Sequence, residues 1–303
     1  MITLERLTKR YGERTAVDGL TLTVPNDLVT GFLGPNGAGK STTMRMILGL
    51  DRPTSGHARI DGRPYARLHR PLHEVGALLD AKAVHPGRTA RAHLRALART
   101  HDIALRRVDE VLDLVGLSDV ANRRTGQFSL GMSQRLGVAG ALLGDPRALV
   151  LDEPINGLDP DGVRRLRELL RSLAAEGRAV LVSSHLMSEM EQTADRLVVM
   201  GRGRLIADAP IAEVLDAAGA SGVLVRSPDR AGLVRLTEHL IGTGARVVAT
   251  GKGTSGYADV SIEEIGRAAH ALGVPLYELS PRRASLEQAY LELTEKAVEY
   301  AAG

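Results

Sequence analysis

The sequence holds no cysteine among its 303 residues, which excludes disulfides, thiolate metal sites and cysteine nucleophiles and says little more about redox environment. It also holds no apolar run near the roughly 20 residues needed to span a bilayer, so any path across a membrane has to belong to another polypeptide. Met1 is followed by a polar, strand-like stretch in place of a charged and then apolar leader. The expectation is a chain that stays in the compartment where it is made. No repeat or low-complexity tract is evident. Lysine is scarce: among 39 basic residues only Lys9, Lys40, Lys82, Lys252 and Lys296 are lysines, and the arginines are scattered rather than clustered. A net charge of +3 spread in this way reads as a solvated, arginine-rich surface.

What is present is an ordinary globular composition, 44% hydrophobic and 25% charged, in a chain longer than one typical domain. Against the scarcity of lysine, Lys40 occupies an informative place. Residues 34–42 read Gly34-Pro35-Asn36-Gly37-Ala38-Gly39-Lys40-Ser41-Thr42, directly after the apolar run Leu28-Val29-Thr30-Gly31-Phe32-Leu33 and before Met44, Ile47 and Leu48 at helical spacing. Glycines at 34, 37 and 39 remove side chains, so that successive backbone N–H groups close around phosphate oxygens while the following helix aims its positive end at the same anion. Lys40 reaches the outer phosphates and Ser41 offers its hydroxyl to Mg²⁺. The segment reads as a phosphate-binding loop in the setting such a loop needs.

Before the loop, Ile2 and Leu4, then Leu20, Leu22 and Val24, alternate with polar residues as half-buried antiparallel strands do, with turns expected at Gly12 and Gly19. Ala148-Leu149-Val150-Leu151 and Ala179-Val180-Leu181-Val182 are short continuous apolar runs, as in parallel strands covered on both faces. From about 86 to 146 the spacing is helical, and Leu197 to Ile206 reads as a hairpin that closes the core. Pro210 starts a short helix. Beyond about 220 the order is strand 222–226, helix 231–241, strand 245–250, strand 257–262, helix 263–272, strand 274–279, helix 285–299, a βαββαβ sequence that suggests a small ferredoxin-like α+β sandwich with a terminal helix. Glycines 251, 253 and 256 read as a hairpin turn, since no helix follows them.

Leu149-Val150-Leu151-Asp152-Glu153-Pro154 is an apolar strand ending in two acids. Asp152 suits a metal-positioning role, and Glu153, one residue on, is placed to polarise an attacking water. Ser129-Leu130-Gly131-Met132-Ser133-Gln134-Arg135 precedes a helical run, which puts a serine hydroxyl and free N–H groups at a helix N-terminus, a second anion-binding element.

With these motifs in hand, the chain resembles the nucleotide-binding subunit of an ABC transporter from residue 1 to about 215. The family signature LSGGQ falls on Phe128-Ser129-Leu130-Gly131-Met132, which departs at three of five positions and keeps the serine and the second glycine. The resemblance implies an α/β P-loop ABC-type ATPase core, domain 1–215, with an antiparallel β subdomain and a helical subdomain at about 81–146, followed by an accessory α+β domain at 216–303. It implies ATP and Mg²⁺ bound between two copies in a head-to-tail dimer, with Ser129 and Gly131 of one copy on the γ-phosphate held by the other. Asn156-Gly157-Leu158-Asp159-Pro160 resembles the family's D-loop, His185 in Val182-Ser183-Ser184-His185 its switch histidine, and Tyr11 its adenine-stacking aromatic. Where the family places a glutamine that touches Mg²⁺, after Glu74-Val75-Gly76-Ala77-Leu78-Leu79, this chain has Asp80, which is shorter and adds a negative charge. An acid can still approach the metal.

The resemblance therefore implies an ATPase, with Lys40, Glu153 and His185 at the chemistry, that drives a separate transmembrane permease from the cytoplasmic face of the cell membrane. The segment 81–127 would dock that partner. The Ser-Leu-Gly-Met variant of the signature, the acid at 80 and the extension from Ser285 to Leu293 resemble the branch of drug and antibiotic exporters. Two other readings share the motifs. A soluble ABC ATPase acting on ribosomes or nucleic acid would normally carry two cassettes or a long coiled-coil insertion, neither of which is present, so no nucleic-acid partner is expected. An ATP sensor without turnover would need a defective acid or histidine, and Glu153 and His185 are intact.

Overall fold

The computed structural model describes residues 1–217, 222–282, 285–287 and 289–291. The chain divides into two units, Met1–Pro210 and a second that starts at Ile211. In the first, the N-terminal alternation becomes a hairpin of β1 (Ile2–Tyr11) and β2 (Arg14–Val24), turning at Gly12. Gly19 is not the expected second turn. It lies inside β2 with φ +61°, where the register slips between the Leu7–Leu20 and Lys9–Val17 pairs, so the strand bulges and continues. Next come β3 (Val29–Leu33), buried at every position, and α1 (Lys40–Ile47), then β4 (Ser55–Ile60), which pairs with β1 to give the antiparallel order β2-β1-β4.

A short α2 (Pro71–Glu74) leads into β5 (Val75–Leu78), and the helical region follows: α3 (Ala90–Thr100), α4 (Arg106–Leu114) and α5 (Leu130–Leu142). Thr89 caps α3 by accepting from the Ala92 N–H. Leu94 and Ala98 of α3, Val108, Val111 and Leu112 of α4, and Leu136, Ala139 and Leu142 of α5 are buried; full burial of one leucine or valine is worth about 1.5–3 kcal/mol. The chain returns to the core through β6 (Ala148–Leu151), α6 (Pro160–Ala175), β7 (Ala179–Ser183), α7 (Met187–Thr193) and the hairpin of β8 (Arg196–Gly201) and β9 (Arg204–Pro210). The main sheet runs β5-β6-β7-β3-β8-β9, parallel except for β9. Met44 and Ile47 of α1 belong to one apolar cluster with Ile2, Leu20, Phe32 and Val198, so the helix after the phosphate loop is gripped by both sheets.

The second unit starts with α8 (Ile211–Ala217), since Pro210 ends β9 rather than starting a helix. It continues β10 (Gly222–Arg226), α9 (Arg230–Gly242), β11 (Arg246–Gly251), β12 (Thr254–Ala258), α10 (Ile262–Ala271) and β13 (Glu278–Arg282). The sheet order β11-β12-β10-β13, antiparallel throughout, is the ferredoxin-like arrangement. Two strands differ from the periodicity. β12 begins three residues before the expected 257 because the turn at Lys252-Gly253 feeds directly into it, leaving Gly256 inside the strand, while Ser261 is taken up by a capping box with Glu264. β13 starts at Glu278 rather than 274, after Pro275, and as an edge strand it accommodates Pro281. Most of the terminal helix expected over 285–299 lies outside the described residues. Among the described residues no helix is long and apolar enough to cross a membrane.

Candidate functional site

Three neighbouring strands, β6, β7 and β3, deliver their following residues to one end of the main sheet, the place where open parallel sheets bind ligands. β3 brings the phosphate loop, β6 the acidic pair, and β7 Ser183 and His185. The cavity between them measures about 460 Å³, within the range of small-molecule sites, and is lined by Tyr11, Arg14, Ala16, Asn36, Gly37, Ala38, Gly39, Lys40, Ser41, Thr42, Asp152 and Glu153.

The loop is built by backbone conformation. Gly39 has φ +105° at the N-terminus of α1, and a β carbon there would stand 2.5 Å from the Ala16 carbonyl oxygen, so position 39 accepts glycine alone. No side chain caps α1, which leaves its first N–H groups directed at the cavity. Lys40 is buried to all but 8% of its surface, and its Nζ donates to the carbonyl oxygens of Gly34 (2.5 Å) and Pro35 (3.3 Å). Burial lowers the pKa of the ammonium from the ordinary lysine value, while the nearby Glu153 and Asp152 carboxylates pull it the other way. The result is a cation held inside the loop rather than in water.

Asp152 is fixed at both oxygens: the Ser41 hydroxyl donates to Oδ2 (2.7 Å) and the Ser183 hydroxyl to Oδ1 (2.5 Å). A hydroxyl beside a carboxylate is a hard, oxygen-only donor set, suited to Mg²⁺. No group of three or more acidic, histidine or cysteine side chains able to hold a metal occurs among the described residues, so a cation at Ser41 and Asp152 would take its remaining ligands from phosphate oxygens and water.

Glu153 adopts φ +50°, the left-handed region that non-glycine residues rarely occupy. Its N–H donates to Ser183 Oγ (2.9 Å), and its carbonyl accepts from the Asn156 N–H (3.2 Å) and the Gln134 amide (2.9 Å). The carboxylate Oε2 meets His185 Nδ1 at 2.7 Å. Such a backbone, held on both sides, marks a position where geometry outweighs local preference.

Tyr11 lies half exposed at the cavity rim, its hydroxyl donating to Asp51 Oδ2 (3.0 Å), which Arg45 also binds. Desolvation, and then the Asp51 contact, raise its pKa above the usual phenol value. The remaining sequence-predicted residues are not among those that line this cavity. Gly34 contributes its carbonyl to Lys40. Ser129 caps α5 by accepting from the Met132 N–H (3.2 Å), and Asp159 caps α6 by accepting from the Gly162 N–H (3.1 Å). Asp80 follows β5, the neighbour of β6, and its Oδ1 accepts from the Lys82 N–H (2.8 Å) in its own loop. Ser183 and Gln134 carry no expectation from sequence. The only signal for Ser183 is a pair of serines between an apolar strand and His185; for Gln134 it is an amide between Ser133 and Arg135 in a helix whose other residues are apolar or glycine.

The chain is similar to known proteins along most of its length. The family model described as ABC transporter matches residues 17–156, and a domain of unknown function, DUF8746, matches 221–287. The chain is 43% identical over 207 residues to the bacitracin transport ATP-binding protein BcrA of Bacillus licheniformis, covering 67% of this chain and 68% of that protein. It is 34% identical over 304 residues to the Nod factor export ATP-binding protein I of Burkholderia orbicola (strain AU 1054), covering 98% of each. Among solved structures, an ATP-binding subunit of an ABC transporter superposes with a TM-score of 0.66 at 26% identity, over 72% of this chain and 93% of that one.

Proposed function

We infer that this chain, which belongs to the ABC transporter family, hydrolyses ATP to drive a separate membrane-embedded permease that exports a hydrophobic small molecule of the antibiotic kind. The observation that carries the reading is the convergence of a glycine cradle, a buried lysine and a braced glutamate on one cavity. Export is supported by the relatives, one described by bacitracin transport and another by Nod factor export.

In the proposed reaction the N–H groups of the loop and Lys40 hold the β- and γ-phosphates and offset the charge on the transferred group. Bound Mg²⁺ would neutralise phosphate charge beside Ser41 and Asp152. Glu153 accepts a proton from the attacking water as the new bond to γ-phosphorus forms; the bridging oxygen leaves with ADP, and inorganic phosphate is released. His185 orients the Glu153 carboxylate through Nδ1. Because Ser129 lies outside the chain's own cavity, a second copy would supply its serine to the γ-phosphate, so that ATP clamps two copies and hydrolysis frees them.

Retention on membranes tests the coupling. The tagged chain is expected to co-purify with a polytopic membrane protein and to release RNA and DNA under the same wash; stable retention on nucleic acid with no membrane partner would reverse the assignment. The acids divide the metal's work unequally. Asp152→Asn is expected to raise the Mg²⁺ concentration for half-maximal turnover by about tenfold or more, the scale of one charged hydrogen bond, and Asp80→Ala by less than about threefold, because the Asp80 carboxylate is tied into its own turn. Titration of magnesium at fixed ATP reads both, and equal shifts would return Asp80 to the metal.

A further inference from the structure

The Gln134 side chain has no place in the reaction as described, yet it is 94% buried, in the second turn of α5, and bonded to the backbone of the acid itself. Its amide donates to the Glu153 carbonyl at 2.9 Å, the same oxygen that closes the turn from Glu153 to Asn156. Its Oε1 is buried without a hydrogen-bond partner among the described residues. A buried glutamine left half satisfied costs stability that an apolar side chain of the same size would not, so the single bond it makes has to be set against that cost. Glu153 needs support at that point, since its backbone is left-handed.

The same face of α5 touches the chain just beyond. A β carbon at Gly131 would stand 2.7 Å from the Gly157 carbonyl oxygen, and the Leu130 side chain covers Gly157. The helix that starts at Ser129 is therefore seated against residues 153–158 at three successive places. Ser183 holds the Glu153 N–H from the opposite side.

We propose that Gln134 is a positioning residue that fixes the left-handed backbone of Glu153 and ties the serine-capped end of α5 to the catalytic acid of its own chain. Displacement of α5 moves the Glu153 carbonyl, and with it the carboxylate and its contact to His185. Engagement of Ser129 is thereby read out at the acid without any change at the phosphate loop. The proposal rests on the reading of Glu153 as the base.

The test compares Gln134→Leu and Gln134→Met, which keep the volume and remove the donor, alone and combined with Glu153→Gln, in full-length protein. In the parent background each is expected to lower kcat roughly tenfold to hundredfold, the scale of a small misplacement of a reacting group, with KM for ATP unchanged within about twofold. In the Glu153→Gln background single-turnover hydrolysis followed over hours is expected to fall less than about twofold further, because a group that acts only through Glu153 has nothing left to position. A kcat within twofold of the parent, a loss of ATP binding that matches the loss of turnover, or a full multiplicative loss in the double variant would overturn the proposal. Undiminished turnover of Glu153→Gln alone would instead remove the base assignment beneath it.

Discussion

Glu153→Gln is expected to stop turnover while ATP stays bound and two copies stay clamped. The substitution keeps the side chain's size and leaves every backbone contact in place: the Glu153 N–H still reaches Ser183, and its carbonyl still accepts from Asn156 and Gln134. What disappears is the proton acceptor, a role worth about 10²- to 10⁴-fold in rate, together with a negative charge facing the phosphates. Loss of that charge favours the bound state, so the ATP complex accumulates instead of dissociating. Phosphate release in a single turnover reads the first effect, and light scattering with and without ATP reads the second. Parent-like phosphate release would remove Glu153 as base, and an inactive variant that stays monomeric with ATP would remove the clamp.

Lys40→Ala is expected to weaken ATP binding about tenfold to hundredfold, since a charge-assisted hydrogen bond is worth about 1.5–3 kcal/mol, and to abolish measurable hydrolysis. The ammonium is desolvated and aimed by the Gly34 and Pro35 carbonyls, so little rearrangement is needed to meet a phosphate. Removing it takes a donor from the Gly34 carbonyl, while Pro35 keeps the Ala38 N–H, and leaves the phosphate charge to the N–H groups alone. Calorimetric titration with ATP checks the affinity; unchanged binding would contradict the loop's role. The loss at Lys40 is expected in binding and rate together, whereas the loss at Glu153 is confined to rate, which separates holding the phosphates from attacking them.

The core was legible in the sequence where one physical pattern dominates. Strands such as Ala148–Leu151 and Ala179–Ser183 are apolar at nearly every position because both faces are covered, and the phosphate loop is legible because its glycines answer a steric demand. The βαββαβ order beyond residue 220 was readable for the same reason of alternating periods. Boundaries set by pairing or by turns were not: Gly19 bulges within β2 because β1 pairs on either side of it, and β12 and β13 start where the Gly253 turn and Pro275 allow. Tyr11, Asp159, His185 and Asp80 were reached through family resemblance rather than from any local signal, whereas Ser129 was legible as a serine set ahead of a helical run. The support around the acids lay deeper, because Ser183 and Gln134 act on residues 30 and 19 positions away, and no local spacing encodes a contact between separate elements.

β3 is enclosed on either side by β7 and β8 and has no exposed residue. Its amide protons can reach deuterium only when the whole sheet opens, so they should rank among the slowest to exchange in the molecule. The cradle at its end thus has a stationary origin, and whatever shifts during a cycle shifts around it. Isotope uptake that responds to nucleotide is then expected in the phosphate loop, whose N–H groups meet the ligand, and in α5 and the 153–158 segment, while β3 reports only global unfolding.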